Sequence, residues 1–178
     1  DPVSILKAYA QKIRNLRRAN ADVPETALAP VFQHLVESLL LICLLLRRLL
    51  RAVYKKTGVG RPDIALIQTG APPRAFIELK APAKSADPGK WKQGDKLQFE
   101  RFGELAHWAT CNFHEFRLLS RAEQTGQAII VPEQALAADK DDKAADKLVT
   151  AHNPAPFLSL LEQLCAAALM APVAGDAK

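Results

Sequence analysis

Residues 60–80 read GRPDIALIQTGAPPRAFIELK. Residues 63–67 and 75–80 are two mainly apolar runs of strand length, separated by Gly70, Pro72 and Pro73. A run, a Gly/Pro turn and a second run predict two adjacent strands in a hairpin. Charged residues stand only at the ends of the runs. Asp63 opens the first, and Glu78 and Lys80 close the second, with the carboxylates 15 positions apart. In a hairpin that spacing carries both carboxylates to the same end of the sheet. Glu78 and Lys80 are two apart and share one face of their strand, while Leu79 takes the other.

A strand face running Phe76, Glu78, Lys80 places charge where an apolar residue would be cheaper to bury. Such burial is unfavourable unless the charges pair or coordinate a metal. Two converging carboxylates make a hard-oxygen site suited to Mg²⁺. A lysine beside them can orient or help deprotonate a water and offset charge on a phosphate.

Upstream, residues 4–19 predict an amphipathic helix, with Ile5, Tyr9, Ile13 and Leu16 at helical spacing. Residues 20–24 break it. A second helix is expected from about 24–26 towards Val53, with Glu25 in its acidic first turn and Pro30 in that turn or kinking it. Its run LLLICLLL, residues 39–46, is far shorter than the ~20 apolar residues of a membrane span, so it predicts a core helix.

Downstream, residues 85–94 predict a loop and 96–106 a helix through Leu97, Phe102 and Leu105. Strands are expected at 107–111 and 116–119 around a turn at 112–115, with a further short strand at 128–131. Residues 139–146, charged and alanine-rich, read as a solvated helix or linker. Asn153 and Pro154 then read as an N-cap and first helical residue, opening a helix over 157–170. The order gives an α/β fold, a mixed four- to five-stranded sheet flanked by helices. Residues 1–132 form the expected domain, and 133–178 a helical extension or linker towards a further domain. The chain begins at Asp1, which suggests a piece of something longer.

Composition sets bounds. Of 178 residues, 49% are hydrophobic and 24% charged, an ordinary mixture for one domain with a core, and the net charge of +5 suits an acidic partner such as nucleic acid. Cys43, Cys111 and Cys165 lie far apart with no CxxC pair. They argue against a disulfide framework or structural zinc and for thiols in a reducing cytoplasm. His34, His107, His114 and His152 lack metal-ligand spacing, although His114 falls in a turn that can approach a substrate. No glycine-rich phosphate loop, nucleophile elbow or methyl-donor motif occurs.

Pro62-Asp63 followed by Glu78-Leu79-Lys80 resembles the PD-(D/E)xK nuclease superfamily. Gln98, Arg101 and Phe102 are similar to the Gln-xx-Arg-(Tyr/Phe) helix that follows the core motif in many of these enzymes, where the glutamine lies near the metal. Residues 110–119, TCNFHEFRLL, loosely resemble the TNG-x-x-(F/W)-x-L strand pair of nuclease domains in large restriction-modification proteins, with Cys111 and Phe113 departing from it. Residues 25–30 resemble the first helix of those domains, whose acidic residue can join the metal site. The resemblance implies a restriction-endonuclease-like fold, catalytic Asp63, Glu78, Lys80 and Gln98, and Mg²⁺ held by Asp63, Glu78 and Glu25. Glu37 is the alternative to Glu25, and a plain helix-capping role for Glu25 stays open. It also implies double-stranded DNA as substrate, and an adenine methyltransferase, sometimes with a helicase, as further domains.

Lys55, Lys56 and Arg61 before the aspartate, Lys84, Lys90, Lys92 and Lys96 around the following loop, and Arg101 are candidate phosphate contacts or ordinary solvated surface. Trp91 and Trp108 suit core or loop-anchoring roles. The expected function is a Mg²⁺-dependent endodeoxyribonuclease domain of a restriction-modification or defence enzyme. A repair or junction-resolving nuclease on the same fold, and a non-catalytic DNA-binding module, are the alternatives.

Overall fold

A computed structural model describes residues 1–42, 49–53, 62–68 and 72–169. Helices α1 (Pro2–Ala19) and α2 (Glu25–Ile42) precede three strands, β1 (Leu49–Val53), β2 (Ile64–Gln68) and β3 (Ala75–Leu79). A 3-10 turn at Pro88–Lys90 leads into α3 (Gln93–Phe102). Strands β4 (Trp108–Cys111), β5 (Glu115–Ser120) and β6 (Glu123–Ile129) follow. A second 3-10 turn, Glu133–Leu136, then precedes α4 (Asp142–Ala151) and α5 (Ala155–Leu169).

Among the described residues the strands form one six-stranded sheet in the order β1-β2-β3-β4-β5-β6. Only β3 and β4 run parallel; the other neighbours are antiparallel. Parallel neighbours need a crossover, and α3 supplies it. The fold is therefore α/β with a mixed sheet flanked by helices, as expected. It has one strand more than the largest number expected.

The additional strand comes from a correction. The helix expected to run towards Val53 does not reach it: α2 is described as far as Ile42, and residues 49–53 are a strand that pairs with β2, Val53 opposite Ala65. A five-residue, mostly apolar stretch is too short for its period to tell a strand from a turn of helix. The predicted hairpin of β2 and β3 is present, with Ile64 opposite Ile77 and Leu66 opposite Ala75.

Alternation along the strands divides the apolar residues between two faces. Ile64, Leu66, Ile77, Leu79, Cys111 and Phe116 belong to the larger core, together with the buried sides of α1, α2, α4 and α5. Residues 133–169 thus pack into the same core as the helices at the start of the chain: Phe157 of α5 meets Phe116 edge-on at 5.4 Å. Arg14, wholly buried on α1, donates to the Ala135 carbonyl at 2.7 Å and to Asp142 of α4 at 3.1 Å.

The opposite face carries Ala65, Phe76, Trp108 and Leu119, covered by α3 through Phe102 and Phe99. Phe102 and Phe99 stack against Trp108 at 5.5 and 5.9 Å. Helix α3 is thereby clamped over the face on which Glu78 and Lys80 also lie. Trp108 is core and Trp91 anchors its loop, its indole N–H donating to the Ser85 carbonyl at 2.8 Å. Among the described residues no helix is long and apolar enough to cross a membrane.

Candidate active site

The parallel pairing of β3 and β4 ends where Glu78 lies beside Thr110 and Leu79 beside Cys111. Chain ends that diverge beyond the carboxyl ends of parallel strands leave a crevice, a common place for a site in α/β folds. The Lys80 amide extends the ladder by one bond, to the Cys111 carbonyl at 2.8 Å, and fixes the backbone direction as β3 leaves the sheet. The loop after it is held down by Thr110, which donates to the Ala86 carbonyl at 2.5 Å, and by buried Asn112, which donates to that of Lys84 at 2.9 Å.

Continuing the β2–β3 register by one step places Asp63 opposite Glu78. The Leu79 amide donates to the Asp63 carboxylate at 2.7 Å. The hairpin thus brings together the two carboxylates that are 15 positions apart in the sequence.

Glu78 and Lys80 are almost entirely buried, at 3% and 2% exposure. The Lys80 ammonium donates to Glu78 Oε1 at 2.9 Å, to Gln98 Oε1 at 2.9 Å and to Asp95 Oδ1 at 3.0 Å. An ammonium has three N–H bonds, so these three acceptors use all of them. The Trp91 ring centroid lies 4.4 Å from the same nitrogen, a cation–π contact on a desolvated charge.

The other Glu78 oxygen, Oε2, is buried with no hydrogen-bond partner. Burial, then the neighbouring charge of Asp63, push the Glu78 carboxyl up to about 8 against the opposing pull of Lys80, with Glu25 adding to the rise. Burial pulls the Lys80 ammonium down, but Glu78 and its hydrogen bonds to Glu78 and Asp95 outweigh this and hold it above the ordinary lysine value. Glu25 is half-buried and its carboxyl is likewise raised, by burial and then by Asp63, while Lys80, Lys84 and a hydrogen bond from the Ala81 backbone draw it back. Three carboxylates therefore feel one another here. A buried, unpartnered carboxylate oxygen inside such a field fits a hard divalent cation. Among the described residues no three acidic, histidine or cysteine side chains already converge closely enough to hold a metal between them.

Of the sequence-derived candidates, Asp63, Glu78, Lys80, Gln98 and Glu25 lie in one neighbourhood. Glu37 instead sits in the middle of α2, accepting from Gln33 at 3.0 Å. Lys84 is near the site, exposed and paired with Asp95 at 2.9 Å. Arg101, Lys90, Lys92 and Lys96 are exposed. Lys55, Lys56 and Arg61 lie outside the described residues. A cleft of about 270 Å³ opens beside the site, between residues 21–24 ahead of Glu25 and residues 81–83 after Lys80, with Arg17 on its wall.

Asp95 was absent from the sequence-derived set. Starting α3 at Gln93 rather than residue 96 puts Asp95 three positions before Gln98 on one helix face, and both reach Lys80. Gly94, expected in the loop, lies in the first turn of α3.

No family model and no curated protein matches the chain in sequence. Among solved structures, the chain is similar to that described as the cryo-EM structure of a DrdV–DNA complex, with a TM-score of 0.61 and 13% identity. The match covers 97% of this chain and 14% of the DrdV chain. At that identity the likeness is one of fold: nearly the whole chain has the architecture of one segment of a much longer polypeptide.

Proposed function

We propose that this chain is a metal-dependent endodeoxyribonuclease domain that hydrolyses DNA phosphodiester bonds as part of a larger restriction-modification or defence enzyme. The observation that carries the reading is the buried Glu78–Lys80 pair beside Asp63, with Glu78 Oε2 lacking a hydrogen-bond partner. An isolated buried ion pair is weak support for a fold, because its desolvation cost rivals its attraction. Its place in a crevice is better understood as chemistry. The DNA-bound state of the DrdV structure, and the small share of that polypeptide that this fold represents, support double-stranded DNA as partner and further domains, such as a methyltransferase or helicase.

Asp63 and Glu78 are the residues that would hold Mg²⁺, with Glu25 near enough to feel their charge and the candidate third ligand. The ion would supply Lewis acidity at the scissile phosphate and an acidified water. Lys80 would hold a proton-bearing ammonium beside the reacting phosphate, offsetting negative charge as it develops. Gln98 and Asp95 keep that ammonium in place. Lys84, Arg101 and the basic residues near the site would take backbone phosphates, giving affinity without sequence choice.

Supercoiled plasmid incubated with the intact parent protein tests the reading. Nicking or linearisation that requires Mg²⁺, stops with EDTA and disappears in Glu78→Gln is expected. Cleavage that continues in EDTA, or no cleavage of plasmid or of branched DNA by the intact protein, would rule the reading out.

A further inference from the structure

One carboxylate joins the deepest lysine of the site to an exposed one. Asp95 Oδ1 accepts from Lys80, whose side chain is 3% exposed, and Oδ2 accepts from Lys84, whose side chain is 54% exposed. Asp95 itself lies between them, at 26%. Because Lys80 has spent its three N–H bonds on Glu78, Gln98 and Asp95, any change in one acceptor is felt by the others. Lys84 is the member of this chain of contacts that a polyanion reaches first.

We infer that Asp95 is a positioning residue that couples capture of a DNA phosphate by Lys84 to release of Glu78 for a divalent cation; the inference rests on the nuclease reading of this site. When Lys84 turns to a phosphate, Asp95 Oδ2 loses its partner and the whole carboxylate charge acts on Lys80. The ammonium is then held harder by Asp95 and less by Glu78 Oε1. Glu78 keeps both oxygens for the cation. Binding linkage makes the effect reciprocal: what favours DNA at Lys84 favours the cation at Glu78.

A double-mutant cycle on Mg²⁺ affinity separates this from a plain field effect. Removing the Lys84 charge favours a nearby cation in any arrangement, so the single variant decides nothing alone. The relay predicts that Lys84→Gln tightens Mg²⁺ binding about fivefold or more in the wild-type background and leaves it nearly unchanged in Asp95→Asn. A field effect without the relay tightens binding equally in both backgrounds. Calorimetric Mg²⁺ titration of the full chain reads the cycle, with no DNA present.

The second readout needs neither metal nor activity. The Lys80 ammonium, buried and triply bonded, should give a resolved ¹⁵N resonance with slow proton exchange. Asp95→Asn should speed that exchange about tenfold or more, Asp95→Glu should restore part of it, and Lys84→Gln should shift the resonance. An additive cycle, or a Lys80 resonance indifferent to Asp95→Asn, overturns the inference and leaves the nuclease reading standing. A wild-type chain that binds no Mg²⁺ overturns both. Mg²⁺ binding with a coupled cycle but no DNA cleavage by the parent overturns the nuclease reading, and of the inference leaves only the coupling of Lys84, Asp95 and Lys80 to the cation.

Discussion

The Leu79 amide donates a 2.7 Å hydrogen bond to the Asp63 carboxylate, tying the residue at the mouth of β2 to the strand that carries Glu78 and Lys80. The bond sets where Asp63 stands, and the charge of Asp63 is among the causes of the raised Glu78 carboxyl. Position and electrostatics can therefore be separated by substitution.

Asp63→Asn keeps an oxygen able to accept from Leu79 while removing the charge. The fold should persist, with a Tm within about 3 °C of wild type or above it. Mg²⁺ affinity should fall by about tenfold or more in calorimetry, because a neutral amide is a weak substitute for a carboxylate at a hard cation. An unchanged affinity would remove Asp63 from the proposed metal site.

Glu78 makes the metal-free protein pH-sensitive, and the sign follows from its raised carboxyl. The folded state keeps a proton up to about 8 that an ordinary glutamate gives up near 4.5. This group's contribution to stability is thus fully present below that lower value and is lost as pH rises through the window. Glu78→Gln has no such charge to bury. Its Tm advantage over wild type should be several degrees at pH 8 and small at pH 5, as thermal denaturation in EDTA would show. A constant difference across that range would contradict the burial argument.

Arg14 tests whether residues 133–169 belong to the same cooperative unit as the sheet. Its guanidinium is buried against the Ala135 carbonyl and Asp142. Arg14→Ala leaves the buried Ala135 carbonyl unpaired and a large buried volume empty, at about 3 kcal/mol or more, so it should lower Tm by roughly 10 °C in a single transition. Separate melting of the C-terminal helices would show that they fold apart from the rest.

Gln98 and Leu97 are neighbours on α3 with opposite fates: Gln98 reaches Lys80, and Leu97 is 58% exposed. Gln98→Ala should slow DNA cleavage about tenfold at saturating Mg²⁺, with little change in Tm. Leu97→Ala should leave the rate within about twofold. Equal rates for both variants would remove Gln98 from the reaction.

Much of the site was legible because its charges interrupt strand faces that otherwise want apolar residues. Asp63, Glu78 and Lys80 stand out against Ile64, Leu66, Phe76 and Ile77, and the Gly/Pro turn between them fixes the hairpin. Asp95 was lost through a boundary: a helix start three residues early changes which side chains share a face. Strand β1 was lost because Leu49–Val53 follows the run at 39–46 after only Arg47 and Arg48, and LLRAV is too short to show a period of two. Strand β6 was read only in part because Glu123, Gln124, Thr125 and Gln127 leave it without apolar alternation. Lying at the sheet edge, it buries Ala128 and little else.

On the proposed reading, Lys80, held against Glu78, acts in metal-dependent phosphodiester cleavage. The rate at which the intact parent protein converts supercoiled plasmid to linear DNA in Mg²⁺ tests it most directly, wild type against Lys80→Ala, both checked for folding by circular dichroism. Wild-type cleavage and a loss of at least about a hundredfold in the variant are expected. A folded Lys80→Ala protein that cleaves at the wild-type rate would contradict that reading.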